Sequence, residues 1–426
     1  MSESSRLLLG RERAQSARGI GFHEHPSDGP SAGELVLDSG NGHVAVIAPT
    51  GAGKGRNLLI PVLLTNPSPA IVLDVKGELA AVTARYRREE MGHEVVVLDP
   101  WGITGLEAGQ FNPLDCLSDD EDDLADEAYA FSQLLVDQSG VLKEAYWDES
   151  ASATVSGMMV HLRSKANDSK PATMAQIWRM LTSDDVVYNL ATLLDSTKGM
   201  HPYAYAQFAG LCGLSADVTR SCILSVIQQH VRLFGSMPVQ RATERTSFDL
   251  DLVRRGDPLT IYIAVPPMKL KSHAALFRLW LSSLLNVICE RRSQPKSNTL
   301  FLVDEVAQLG RMQQIRQAVT LMRGYGLRCM LFLQSYAQLK EMYPTDHETL
   351  FENCGTLLTF GHTAMTMSQH MANALGDMSP EALNAMTRGE LAIRTEGATT
   401  RIINRVDYLT DPLFAGRFDP HPMFRR

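Results

Sequence analysis

The chain of 426 residues is poor in cysteine, and none of its six cysteines sits in a CxxC pair or beside a histidine at zinc-ligand spacing. That absence argues against a zinc module and against a disulfide framework. It leaves Cys116, Cys212, Cys222, Cys289, Cys329 and Cys354 as small buried apolar residues of a reducing compartment. Long apolar runs are missing as well. A bilayer-spanning helix takes about 20 apolar residues, whereas NLLIPVLL at 57–64 is too short and the apolar stretch 275–289 is broken by Arg278. The opening MSESSRLLLGRERAQSARG has no apolar centre of the kind a signal peptide needs. An excess of positive charge is also lacking: the formal net charge of −8 argues against a uniformly basic nucleic-acid coat, while leaving room for a local basic channel. Finally, there is no NKxD-type guanine-recognition motif, which disfavours a switch GTPase.

What is present is an alternation of strand and helix. HVAVIA from His43, PAIVLDV at 69–75 and EVVVLDP at 94–100 are apolar, β-rich runs separated by helical spacing in GRNLLIPVLLTN and KGELAAVTARYRREEMG. Continuous apolar strands between such helices predict a mainly parallel sheet covered on both faces, an α/β fold. Strands return at LTIYIAV (259–265), NTLFLVDEV (298–306), LRCMLFLQ (327–334) and GTLLTFG (355–361), and the stretch from ELAIRTEG to RIINRVDYL reads as a closing hairpin and tail. A long amphipathic helix is expected from about residue 272 to 292. Between FNPLD and about residue 215 no strand signal appears, only segments of helical spacing, which predicts an inserted all-α domain. Its acidic opening SDDEDDLADE fits a solvated helix start. The expected division is an N-terminal extension to residue 42, a nucleotide-binding domain in two parts (43–117 and 219–426, the second with the C-terminal tail), and the helical insert at 118–218.

Three motifs carry chemistry. APTGAGKG lies between a strand and a helix, where a glycine loop aims backbone N–H groups at one spot and the helix dipole adds positive potential, a setting that suits a triphosphate. It covers Pro49, Thr50, Gly51, Ala52, Gly53, Lys54 and Gly55. The glycines permit the tight turn and Lys54 reaches the β- and γ-phosphates. Gly55 stands where the usual pattern has the hydroxyl that binds magnesium. FLVDEV ends a buried strand in two acids, which are either a capping pair or a catalytic one. Beside a phosphate loop the second reading is the better, with Asp304 on magnesium and Glu305 polarising the attacking water. Gln334 ends the next strand, as a γ-phosphate sensor or as a simple strand-end hydrogen bonder. Arg323 and Arg328 precede and begin that strand, and by residue logic alone either is a surface arginine or a trans-acting one.

Together these pieces resemble the VirD4/TraG-type coupling proteins of type IV secretion and bacterial conjugation: APTGAGKG followed by LLIPVLL, then IVLDVKGE, VLDP, FNPLD, IYIAVPP, LFLVDEVAQLG, MRGYGLR and LQSYAQL, in order from about residue 43 to 408. The resemblance implies a RecA-like, hexameric P-loop ATPase using ATP and Mg2+, whose phosphate loop ends in Lys-Gly. By position it implies Lys54 on phosphate, Asp304 on magnesium, Glu305 on water, Gln334 as sensor and Arg323 as the arginine acting on a neighbouring protomer. It implies single- or double-stranded DNA as cargo, relaxosome or secreted effector proteins as partners of the helical insert, and contact with the secretion channel. Family members usually begin with transmembrane helices, and none is seen here, so the expectation is a cytoplasmic protein peripheral to the inner membrane. Two other readings keep the fold: an effector-receptor platform using ATP for assembly, and a related DNA-pumping ATPase.

Overall fold

Aliphatic and β-branched runs make the centre of the protein. In a computed structural model describing residues 6–13, 33–136, 145–165, 171–305, 313–345, 347–361 and 364–422, they assemble into one sheet of eleven strands. The strands are β1 (Leu7–Arg11), β2 (Leu35–Asp38), β3 (Val44–Ile47), β4 (Ala70–Val75), β5 (Glu94–Leu98), β6 (Leu259–Val265), β7 (Thr299–Val303), β8 (Leu327–Leu333), β9 (Thr356–Phe360), β10 (Glu390–Thr395) and β11 (Arg401–Asn404). Their order is β2-β1-β11-β10-β9-β3-β8-β7-β4-β6-β5. From β9 to β5 every pairing is parallel, and from β9 outward through β10, β11, β1 and β2 every pairing is antiparallel. This is the mainly parallel α/β sheet predicted, with the closing hairpin supplied by β10 and β11.

Two strands precede the one read as first from the sequence. β1 and β2 lie in the stretch expected to be an extension and pair antiparallel with each other, while Arg11 of β1 meets Asn404 of β11. Four- and five-residue strands carry too little pattern to separate them from polar surroundings, and they gain their stability from an existing sheet edge.

The strands of the parallel part bury both faces. Alternate residues of one strand enter different cores: Ile71 and Leu73 of β4 join the core on one side, Ala70 and Val72 the core on the other. β6 is buried at all seven positions, and each large aliphatic side chain removed from water there is worth about 1.5–3 kcal/mol. One face carries helices α1 (Ile60–Thr65) and α2 (Glu78–Glu89). A π turn, Gly55–Leu59, joins the phosphate loop to α1. Pro61 accounts for this widening, since it has no N–H for a bond back to residue 57 and its ring crowds that carbonyl.

The other face carries the Ala274–Cys289 helix and a helical region made of α3 (Glu121–Gln133), α4 (Ala145–Arg163), α5 (Met174–Leu181), α6 (Val186–Ser196), α7 (Pro202–Cys212) and α8 (Asp217–Val231). α8 packs on α4 and α5, so the bundle runs beyond residue 218. The start of the region is tied to the Ala274–Cys289 helix: Trp280 Nε1 donates to the Phe111 carbonyl, ahead of α3, at 2.8 Å, and Arg278, buried, donates through Nε to the Leu134 carbonyl, at the end of α3, at 3.0 Å. The Ala274–Cys289 helix is buried on nearly every side, as expected of a core helix from its apolar stretch at 275–289 and more fully than the amphipathic pattern read over 272–292 implies. The reason is its place between sheet and bundle, two apolar surfaces that a one-sided helix could not satisfy.

Candidate nucleotide site

The parallel strands run the same way, so their C-terminal ends share one edge. β3, β8, β7 and β4 are consecutive neighbours, and at this edge stand Ala48, Gln334 and Asp304, each the residue after its strand, and Asp74, the last residue but one of β4. Each follows a residue of known register, for example Leu73 of β4 beside Val303 of β7. Val46, Phe332, Leu302 and Val72 belong to one core, so the period-2 alternation aims Ala48, Gln334, Asp304 and Asp74 to that same side, the side of α1 and α2. The sheet thus brings two of the sequence-predicted residues, Asp304 and Gln334, to one edge and one side.

The glycine loop leaves β3 at this edge. Ala48 N–H still donates to the Leu333 carbonyl at 2.9 Å, after which Ala52 N–H turns back to the Pro49 carbonyl at 3.1 Å. Gly51 and Gly53 have φ of 77° and 90°, a region closed to most L residues, and a Cβ on Gly53 would lie 2.5 Å from the Asn57 Oδ1. Gly55 differs. It opens the helical turn, and a Cβ there would meet no heavy atom within 4 Å. The missing hydroxyl is therefore not excluded by space.

Lys54 turns to the acids. Its Nζ donates to Glu305 Oε1 at 2.6 Å and lies 3.7 Å from Asp304 Oδ1, within ion-pair range but too long for a hydrogen bond. Gln334 Nε2 donates to the second oxygen of Glu305 at 2.5 Å, while Gln334 N–H donates to Gln338 Oε1 at 2.9 Å. Glu305 itself has φ of 62°. A non-glycine residue in that region costs about 1–2 kcal/mol, a strain concentrated at the residue whose carboxylate meets both Lys54 and Gln334.

Burial pushes the Asp304 carboxyl up to about 6, with the Glu305 charge raising it further and the Lys54 ammonium opposing both. Its Oδ1 is buried without a hydrogen-bond partner. Asp74 is pushed up to about 7, mainly by burial, although Ala80 N–H donates to its Oδ2 at 2.8 Å; its Oδ1 is likewise buried without a partner. An orphaned carboxylate oxygen beside a phosphate loop fits a divalent cation. Among the described residues no group of three or more His, Cys, Asp or Glu side chains could hold a metal. This donor set suits Mg2+, which binds by one or two carboxylates together with substrate phosphates and water.

Arg323 lies at the other end of the sheet. It is in the turn Met322–Tyr325 before β8, is exposed, and lines a cavity of about 450 Å3 with Arg394 and Glu396. The structure thus brings Lys54, Asp304, Glu305 and Gln334 together and keeps Arg323 apart from them. Arg328 is different again: buried in β8, it pairs with Asp38 at 2.8 Å and donates to the Gly42 carbonyl at 3.0 Å, a structural role. Residues 306–310 of the LFLVDEVAQLG motif lie outside the described residues.

The family model for the type IV secretory system conjugative DNA transfer proteins matches residues 11–390. The chain belongs to this family. Its curated relatives include the conjugal transfer protein TraG of Escherichia coli, 24% identical over 94% of this chain and 66% of that protein. Another is the protein VirD4 of Agrobacterium fabrum, 26% identical over 82% of this chain and 52% of the relative. The chain thus spans about half to two thirds of the length of these family members. In fold it is similar to the plasmid coupling protein TrwB in complex with ADP and Mg2+, with a TM-score of 0.69, 16% identity, and coverage of 96% and 95% of the two chains. No helix among the described residues is long and apolar enough to cross a membrane.

Sequence reasoning passed over two features of the site. Asp74 lay in view in IVLDVKGE, and its signal was an acid ending an apolar strand, the same signal that marked Asp304. The segment 405–407 also reaches the phosphate loop: Arg405 Nη1 donates to the Ala52 carbonyl at 2.6 Å, Asn57 Nδ2 donates to the Val406 carbonyl at 2.8 Å, and Arg56 pairs with Asp407. Contacts across some 350 positions leave no local pattern to read.

Proposed function

We propose that the chain is the ATP-hydrolysing motor of a type IV secretion coupling protein, driving DNA, alone or with attached protein, into a conjugation channel. The observation that carries this reading is the Lys54–Glu305–Gln334 network at the sheet edge beside the glycine loop. The likeness in fold to TrwB, whose structure contains ADP and Mg2+, supports ATP with Mg2+ as the nucleotide.

In this reading the N–H groups of Gly51 to Gly55 and the α1 end of the loop receive the β- and γ-phosphates. Lys54 leaves Glu305 for the phosphate oxygens as ATP enters. The freed Glu305 carboxylate then accepts a hydrogen bond from the attacking water and draws off its proton, while Gln334 holds the other carboxylate oxygen and so orients the base. Asp304, with Asp74 behind it, would hold Mg2+, which neutralises charge on the phosphate oxygens. Arg323, on the far edge of the sheet, serves the ATP of an adjacent protomer, which makes hydrolysis a property of the ring, a hexamer in this reading. Relaxosome or effector proteins meet the helical region α3 to α8, and the ring stands on the cytoplasmic side of the inner membrane, against the channel.

Lys54→Ala tests the reading at its base. Magnesium-dependent ATP binding and hydrolysis should both be lost, with the unfolding midpoint of the empty protein kept; retention of wild-type ATP affinity would refute it.

A further inference from the structure

A cation from the far end of the chain, Arg405, grips the glycine loop at the Ala52 carbonyl. Arg405 follows β11, beyond the residue 390 at which the family match ends. Its guanidinium is fixed on three sides: Nη1 donates to the Ala52 carbonyl at 2.6 Å, Nε donates to the Glu390 carbonyl at 2.7 Å, and the group lies 4.1 Å from the centre of the Phe360 ring. Its own N–H donates to the Gly389 carbonyl at 2.8 Å, which locks the backbone under it. Half-burial lowers its ordinary pKa to about 10, so it stays charged at neutral pH.

A peptide unit is planar and trans, so the C=O of one residue and the N–H of the next point in opposite directions. We infer that Arg405 is a positioning residue of the nucleotide site: by gripping the Ala52 carbonyl from behind, it turns the Gly53 N–H towards the space of the phosphates. Gly53 has φ of 90°, a region glycine enters as readily as the usual ones, so this peptide has little intrinsic preference for one orientation and gains from a tether. The charge-assisted bond also polarises the 52–53 peptide, which strengthens its N–H as a donor to an anion. The β10–β11 hairpin is in this way coupled to the phosphate loop.

The inference rests on the proposed ATP site, and the test separates the two. Binding of a fluorescent ATP analogue with MgCl2 is measured for the wild-type chain, Lys54→Ala, Arg405→Gln, Arg405→Lys and Arg401→Gln, the last an exposed arginine of the same hairpin. Unfolding midpoints are recorded with and without ATP. Arg405→Gln should weaken binding by about tenfold or more, the worth of a hydrogen bond to a charged group, and shrink the ATP-induced rise in midpoint. Arg405→Lys, which keeps the charge and its stem against Phe360, should retain the midpoint of the empty protein and recover part of the affinity. Arg401→Gln should match wild type. Wild-type affinity in both Arg405 variants, with Lys54→Ala defective, overturns the inference and leaves the ATP reading standing. No ATP binding by the wild-type chain overturns both.

Discussion

Glu305→Gln separates binding from hydrolysis in a direction the geometry fixes. Glu305 holds Lys54 at 2.6 Å, and the two side chains are only 15% and 10% exposed. Two opposite charges about 4 Å apart at an effective dielectric constant near 20 attract by roughly 4 kcal/mol. An arriving triphosphate must draw Lys54 away from this partner, and it returns most of the attraction through its own charge. If a third remains uncompensated, about 1.4 kcal/mol, the pair lowers ATP affinity about tenfold. Gln is the same size, cannot hold the ammonium as strongly, and can still accept from Gln334 Nε2. Removing the Glu305 charge also relieves the repulsion that helps to raise Asp304, which favours the metal-binding carboxylate form. We therefore expect Glu305→Gln to bind Mg-ATP about tenfold more tightly and to hydrolyse it at least about 100-fold more slowly, the usual contribution of a general base. Equilibrium binding of a fluorescent ATP analogue and phosphate release from the same preparation read both effects. Hydrolysis at the wild-type rate, or weaker binding, would refute the assignment of Glu305 as the base that Lys54 guards.

Other consequences follow from single positions. Arg323→Ala should leave ATP binding by the isolated chain unchanged and lower hydrolysis by the assembled protein about 1000-fold, as loss of an arginine finger does; impaired binding by the isolated chain would contradict a role across the protomer boundary. Gly55→Ser should fold normally, because its Cβ meets nothing within 4 Å. It should also lower the magnesium concentration that gives half-maximal hydrolysis, by restoring a hydroxyl ligand. His93 is held by burial and by Arg87 at about 4, below its ordinary 6.5. The stability that goes with its neutral, buried form is present above pH 6.5 and is lost as the pH falls through 4, amounting to roughly 3 kcal/mol. Denaturant unfolding of wild type and His93→Gln at pH 7 and pH 4 should show their difference shrinking by that order; a constant difference would count against it.

Much of the parallel core was legible because its strands are short apolar runs with breakers at both ends. LTIYIAV is β6 residue for residue, and the acids of FLVDEV sit where an apolar strand stops. The glycine loop was legible for the same reason: Gly51 and Gly53 occupy the two backbone angles that demand glycine. What escaped depends on distant partners. β1 and β2 are strands because β11 offers an edge. Arg328 and Arg323, five positions apart, look alike in sequence and part company only when Asp38 claims one of them.

A DNA-driven, ATP-hydrolysing ring is met head-on by the ATPase rate of the chain with no DNA, with single-stranded DNA and with double-stranded DNA, taken alongside the mass of the assembly in each sample. Hydrolysis should rise with DNA in step with a shift of mass to about six protomers, and should vanish in Lys54→Ala. A rate indifferent to either form of DNA, from a chain that hydrolyses ATP as a monomer, would contradict it.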